Sequence, residues 1–394
     1  MHPTRYLAII LFIALITLTG SYNPTLATSP RDSARLPSSP ALQSEATATP
    51  APTIPGEAPS GNSGGISSVI RLPIILVRAL APHLPPQEQS VTQIPLSGPV
   101  SETRAEVSGM AWYGDHLILL PQYPGRFANG DDGRLFALPK ADIRAFLDGS
   151  LAGPLTPREI PLVAPGLAES ITNFEGYEAI TFVDDRAFLT VESGAGDPMM
   201  GYMVSGQIAS NLSELRLDPA TRVELPPADS HSNMTDETLV AAGDRLFTIY
   251  EVNGPGYNEE PEIHLFDLSS NLLGTRPFPA IEYRVTDATE IDSQGRFWAL
   301  NIYWRGDSRQ NPIPDALAIQ HGQGPTHARY RLVERLLQFR WTGSRVELTG
   351  QPPIQLELTG EEHNWEGLVR LDDRGFLLVT DEVPGTILGF VRKP

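Results

Sequence analysis

The chain predicts an all-β protein, a β-propeller of five or six blades, preceded by a signal peptide and a disordered linker. A hairpin-sized unit with acids at fixed places recurs down the second half of the sequence. Its strands are short and separated by Gly, Asp and Pro turns, and helical periodicity is nearly absent.

The recurring unit reads Asn173-Phe-Glu175-Gly-Tyr-Glu178-Ala-Ile, Thr235-Asp236-Glu237-Thr-Leu, Thr286-Asp287-Ala-Thr-Glu290-Ile and Asn364-Trp-Glu366-Gly-Leu-Val. Each copy passes through a polar turn into a second apolar strand, and those strands end at Glu192, Glu251, Asn301 and Asp381-Glu382. A first hairpin starts at Ser108 and has Ser108 and Gln122 where the others have acids. The hairpins recur at intervals of about 50 to 80 residues, longer than the roughly 40 to 50 of a propeller blade. Loops such as the one containing Trp304 and Arg305-Gly-Asp307 take up the excess.

Gly133-Arg-Leu-Phe-Ala-Leu, Glu262-Ile-His-Leu-Phe and Arg335-Leu-Leu-Gln-Phe supply outer strands. A sixth blade is sought in residues 195–230 or beside Ser90-Val-Thr-Gln-Ile-Pro-Leu, a strand that can instead complete the last blade. One helix is expected over 141–148. Ring closure removes the exposed sheet edges that these repeats would otherwise leave. A β-sandwich is the competing fold, and it leaves the repeat unexplained.

The N-terminus has a basic tip at Arg5, an apolar run from Leu7 to Gly20 and small residues near Ala27. This pattern predicts a signal peptide over 1–27. Its apolar run of about 14 residues falls short of the roughly 20 needed to span a bilayer, so no stable span is expected after cleavage; an uncleaved anchor is the alternative. Residues 28–65 form a Pro/Ser/Ala/Thr linker with too little apolar surface to order. Residues 66–89 are a short apolar segment broken by Pro73, of uncertain role, packing on the domain or lying on a membrane surface. The propeller domain runs from 90 to 394. The protein is expected to be a monomer, secreted, periplasmic or on the cell surface.

There is no cysteine, which excludes disulfides, thiolate metal sites, cysteine nucleophiles and lipid attachment through cysteine. Asp and Glu number 47 against 29 Lys and Arg, and Lys140 and Lys393 are the only lysines. A net charge of -18 repels phosphate backbones and anionic lipids, so nucleic acid is excluded as a partner and cations are favoured.

An antiparallel hairpin returns the chain to the face it left, so acids before the first strand and after the second lie at one end. Repetition around an axis would gather them into a collar. Two carboxylates about 5 Å apart repel by about 3 kcal/mol at an effective dielectric of 20, so a cation, arginines or held protons must offset the charge. Oxygen ligands suit calcium. The expected metal ligands are Glu178, Glu192, Asp236, Glu237, Glu251, Asp287, Glu290, Asn301 and Asp381, and pairing of acids with Arg186, Arg245, Arg296 or Arg374 is the alternative. Glu175 and Glu366 are the candidate catalytic bases, with His363 and His231 as acid–base groups. Tyr177, Tyr303, Trp304 and Trp365 either wall a pocket or pack between blades. Gly61-Asn-Ser63-Gly-Gly65 matches a serine-hydrolase elbow only as text, because it lies in the linker.

Asn173-Phe-Glu175-Gly-Tyr-Glu178-Ala-Ile, Ser108-Gly-Met-Ala-Trp, Asp287-Ala-Thr-Glu290-Ile and Asn364-Trp-Glu366-Gly-Leu resemble the phytase-like esterase family. More loosely they are similar to gluconolactonase and strictosidine-synthase-like calcium propellers. The resemblance spans roughly residues 100–394. It implies an extracytoplasmic calcium-dependent hydrolase of small phosphate or carboxylic esters. A sugar-acid lactonase and a non-catalytic ligand- or protein-binding propeller with a structural cation are the alternatives. The scarcity of lysine puts inositol-phosphate cleavage in doubt.

Overall fold

The computed structural model describes residues 85–194, 199–228, 234–254, 257–258, 260–303 and 315–394, all within a compact unit running from Val77 to Pro394. Residues 1–27, where a signal peptide is expected, residues 28–65, where a linker is expected, residues 66–84, His231, Trp304 and Arg305-Gly-Asp307 lie outside the described residues.

The first strand, β1 (Val91–Ile94), belongs to the last blade. Blade 1 follows as β2 (Val107–Tyr113), β3 (His116–Pro121), β4 (Gly133–Pro139) and β5 (Arg158–Val163). Blade 2 is β6 (Phe174–Val183), β7 (Arg186–Ser193), β8 (Met200–Ile208) and β9 (Leu215–Leu225). Blade 3 is β10 (Asp236–Ala242), β11 (Arg245–Tyr250), β12 (Glu262–Asp267) and β13 (Leu272–Pro277). Blade 4 contains β14 (Arg296–Tyr303), β15 (Val333–Trp341), β16 (Val346–Leu348) and β17 (Ile354–Gln355). Its innermost run is irregular and pairs through Ala288 with Ala299. Blade 5 is β18 (Trp365–Leu371), β19 (Gly375–Thr380) and β20 (Leu388–Arg392), and β1 closes it by pairing antiparallel with β20. The outer strands of blades 1 and 2 also touch, where β5 pairs parallel with β9.

Ring closure is visible in the core. One buried cluster joins Ile118 and Leu135 of blade 1 to Leu189 and Val204 of blade 2. A second joins Phe188 and Met203 to Leu246 and Phe266, blades 2 and 3. A third joins Phe247 and Leu265 to Phe297 and Phe339, blades 3 and 4. Leu300 and Leu336 meet Leu368 and Phe376 between blades 4 and 5. Leu377 and Val379 meet Leu117 and Leu119, which returns to blade 1. The second strands β3, β7, β11 and β19 therefore bury both faces against different neighbours, and five interfaces close five blades.

The residues considered for a sixth blade are absorbed: β8 and β9 complete blade 2, and β1 completes blade 5. Backbone pairing begins before residue 90, since the Gln89 N–H donates to Gln355 O and its carbonyl accepts from Glu357 N. The expected helix is present as Lys140–Leu147. Two hydroxyls clasp neighbouring inner strands: Ser108 Oγ donates to Tyr177 O at 2.6 Å and Thr286 Oγ1 to Trp365 O at 2.7 Å.

Candidate functional site

Side chains on a strand alternate, so successive residues point to opposite faces. The inner strands break that rule at one place. Register shifts fall between Val107 and Gly109, Tyr177 and Ile180, Asp236 and Thr238, and Trp365 and Gly367. The residues caught in those shifts include Ser108, Glu178, Glu237 and Glu366. A bulge re-aims its side chain, and here the three acids face one another across the axis. Glu178 lies in the field of Glu192, Glu237 and Glu366, and Glu366 in that of Asp381, Glu237 and Arg284.

The second strand of each hairpin supplies a partner at the same end. Glu192 is on β7, Glu251 follows β11, Asp381 follows β19 and Gln122 follows β3. Three buried carboxyl pairs result, each tied by an N–H donor. Gln122 Nε2 lies 2.9 Å from Glu178 Oε1 and 2.9 Å from Glu192 Oε1. Arg284 Nη2 lies 3.1 Å from Glu237 Oε1, and its Nε is paired with Glu251. Asn364 Nδ2 lies 2.5 Å from Glu366 Oε1 and 3.5 Å from Asp381 Oδ2.

Gln122 is held for this task. Its N–H donates to Glu106 O at 2.6 Å and its carbonyl accepts from Tyr177 N at 2.9 Å. Gly176 leaves room for it, because a Cβ there would sit 2.5 Å from Gln122 Cγ.

Burial dominates the electrostatics of the collar. It pushes Glu178 and Glu366 well above the usual carboxylate range, with neighbouring acids adding to the rise. Glu192 is pushed up to about 7 and Asp381 to about 6, again mainly by burial. Glu237 is raised by burial and held back by Arg284. Tyr123, half-buried, is pushed above the usual phenol range by burial and by Glu192, Glu175, Glu178 and Glu106, so its hydroxyl remains a donor.

The remaining expected residues are distributed differently. Glu175 is half-buried at the rim, facing Glu192 and Tyr123, with its carboxylate against Gly194. Asp236 is turned into blade 3, accepting from Thr248 Oγ1 at 2.5 Å and contacting His264 Nδ1 at 3.1 Å. Asp287 accepts from the backbone N–H groups of Leu368, Ala288 and Met110, tying blades 5, 4 and 1. Asn301 donates to Glu282 O and Arg284 O and accepts from Arg335 Nε. Glu290 is exposed at the far end of the axis, on a cavity of about 120 Å³ lined by Met110, Phe182, Leu239 and Val369.

His363 is not in the collar. It stacks on Trp365, its Nδ1 lies 3.2 Å from Glu334, and it lines a separate cleft of about 340 Å³ between blades 4 and 5. Arg186, Arg245, Arg296 and Arg374 bind Leu268 O, Asp244, Asp292 and Asp148 at the hairpin turns, away from the collar.

The sequence reading missed Arg284 and Tyr123. Arg284 stands two residues before the Thr286-Asp287 motif, which was the available signal. Nothing in the order of residues marks Tyr123.

The donor chemistry of the collar is that of a hard cation. Glu237 Oε2, Glu251 Oε2, Asp381 Oδ1 and Asn364 Oδ1 are buried and find no hydrogen-bond donor among the described residues. The arrangement is less suited to one. Among the described residues no three of His, Asp and Glu are disposed to hold a metal ion, and the Arg284 guanidinium bridges Glu237 and Glu251. A calcium ion would need those side chains to move.

No protein-family model and no curated protein matches the chain, so the resemblance to phytase-like esterases stays with the motifs. Solved structures similar to it include a bifunctional GH43-CE protein of Bacteroides eggerthii, at 13% identity and TM-score 0.42, covering 76% of this chain and 34% of that one. The xylan β-1,4-xylosidase of Bacillus halodurans C-125 is 11% identical with TM-score 0.41, covering 75% and 53%. Glutaminyl cyclase of Myxococcus xanthus is 10% identical with TM-score 0.35, covering 78% and 98%. The chain thus spans about a third of the first protein and about half of the second. Likeness at this level carries nothing about the site, and the propeller assignment stands on the strand order and the five interfaces.

Proposed function

We propose that the acidic mouth of the axis hydrolyses an uncharged carboxylic ester or lactone by carboxyl acid–base catalysis. The observation that carries this reading is the Glu178–Glu192 pair, bridged by Gln122 beside the Tyr123 phenol. Glu192, pushed up to about 7, changes charge near neutrality, where a general acid or base is most effective. One carboxyl of the pair takes a proton from the attacking water. The other, protonated, gives one to the departing alkoxide. Tyr123 donates to the carbonyl oxygen as it gains charge, and Glu175 stands at the rim where the substrate enters.

Charge decides between the two ester classes. The Arg284 guanidinium is already engaged by Glu237 and Glu251, so its charge is spent on them before a phosphate could use it. At about 6 Å and an effective dielectric of 20, each carboxyl that is ionised repels each charge of a phosphate by about 3 kcal/mol. An uncharged ester or lactone escapes that term. Secretion by way of residues 1–27 would put this activity outside the cytoplasm.

The test is a substrate panel of p-nitrophenyl acetate, p-nitrophenyl phosphate and a sugar-acid lactone, run on the full chain and on Glu192→Gln. The expected result is turnover of the acetate or lactone, little of the phosphate, and loss of at least about 100-fold in kcat in the variant. Faster turnover of the phosphate, or an unimpaired variant, overturns the proposal. Stoichiometric binding without turnover would favour the binding-propeller alternative.

A further inference from the structure

The collar gathers three carboxyl pairs and bridges them unequally. Two pairs receive a neutral amide, from Gln122 and Asn364, and one receives a guanidinium. Arg284 is fixed in place before its side chain begins. Its N–H donates to Ile302 O at 3.0 Å, its carbonyl accepts from Ile302 N and from Asn301 Nδ2, each at 3.1 Å, and it bridges Val252 on the other side. The side chain therefore enters the axis from the seam between blades 3 and 4, and Arg284 is 7% exposed. Around it lie Glu237 and Glu251 in contact, with Glu366 and Asp381 within its electrostatic reach. Glu237, Glu251 and Asp381 each still present one buried oxygen without a donor among the described residues.

We infer that the Arg284 guanidinium is the resident cation of the axial collar, held in the position a divalent ion would otherwise take. Removing it leaves an oxygen-lined site for a small cation between blades 3, 4 and 5. The sequence expectation of a cation is then met by a side chain. This inference concerns the charge balance of the collar and is independent of the hydrolase reading.

The experiment uses the full chain with three substitutions, Arg284→Ala, Arg284→Met and Arg284→Lys. Thermal unfolding is measured with chelator, with millimolar calcium chloride and with guanidinium at concentrations below those that denature the wild type, and calcium binding is measured by calorimetry. The wild type should neither bind calcium nor change its Tm with chelator. Arg284→Ala should fall in Tm by roughly 10 °C, the effect of stranding a buried charge pair. Calcium or guanidinium should recover at least half of that loss in Arg284→Ala. Arg284→Met fills the space without charge and should recover less than a quarter. Arg284→Lys should stay nearer the wild type than either, which keeps the test open if the alanine variant does not fold. Calcium binding by the wild type, or a chelator-dependent fall in its Tm, overturns the inference. So does an Arg284→Ala protein that folds and responds to neither cation, or an Arg284→Lys protein no more stable than Arg284→Met.

Discussion

Glu192→Gln should make the protein more stable in mild alkali. Glu192 is 7% exposed and shares Gln122 with Glu178, and burial pushes it up from 4.5 to about 7. A carboxyl whose folded pKa lies above its unfolded value binds its proton more tightly in the folded state. The stability it contributes is fully present below about pH 4.5 and is lost as pH rises through about 7. At about 1.4 kcal/mol for each pH unit separating the two values, the loss is about 3 kcal/mol. Gln at this position is the neutral form at every pH. It keeps an acceptor for Gln122 and gains a donor toward Glu178, so it imitates the protonated acid.

Urea unfolding of wild type and variant across the range from about pH 5 to about pH 8.5 reads the difference directly. The two proteins should be nearly equally stable at the acidic end. The variant should lead by about 3 kcal/mol at the alkaline end. Asp381, pushed up to about 6, titrates in both proteins and drops out of the comparison. A gap that does not change with pH, or one that closes as pH rises, refutes the assignment of a held proton to this pair.

Gln122→Leu removes both bonds to the pair and should cost about 1–3 kcal/mol in urea unfolding. Gly176→Ala should reproduce most of that loss, because its Cβ occupies the space of the Gln122 side chain. Asp287→Ala strands three backbone N–H groups on the axis and should cost at least about 3 kcal/mol by the same assay. Deleting residues 90–96 removes β1 and bares the backbone of β20, so size-exclusion chromatography should register self-association.

The propeller was legible because hairpins are local objects. A polar turn between two apolar strands, repeated with an acid at each end, is written in consecutive residues. The number of blades was less so, since β8 and β9 of blade 2 carry no copy of the acidic motif and β1 joins its blade from the opposite end of the chain. Within the motifs, the choice between neighbouring acids turned on a single-residue bulge. Glu237 is caught in the register shift and faces the axis, whereas Asp236, one residue earlier, binds Thr248 and His264 inside the blade. Periodicity cannot express that inversion. His363 was read beside Glu366 because it is close in sequence, but its partner Glu334 comes from β15 of another blade. Arg284 escaped notice for the same reason: its partners lie 33 to 47 residues away, beyond any motif window.

The collar is poorly explained as a stabilising device. Burying a carboxyl pair costs desolvation that a guanidinium or an amide only partly returns, and apolar residues of similar volume commonly serve a core as well or better. The five interfaces are built that way, from Leu, Val, Ile and Phe. Ser108 in blade 1 and Asp287 in blade 4 supply the contrast. At the corresponding places of those blades a short side chain binds backbone and completes the packing. Asp287 is itself buried and raised above its usual range, but its oxygens take backbone N–H groups, whereas blades 2, 3 and 5 carry a long acid there, likewise raised, with a second acid beside it. Three blades thus gather paired acids at one mouth, and that concentration of cost is what a site for chemistry or binding leaves in a fold.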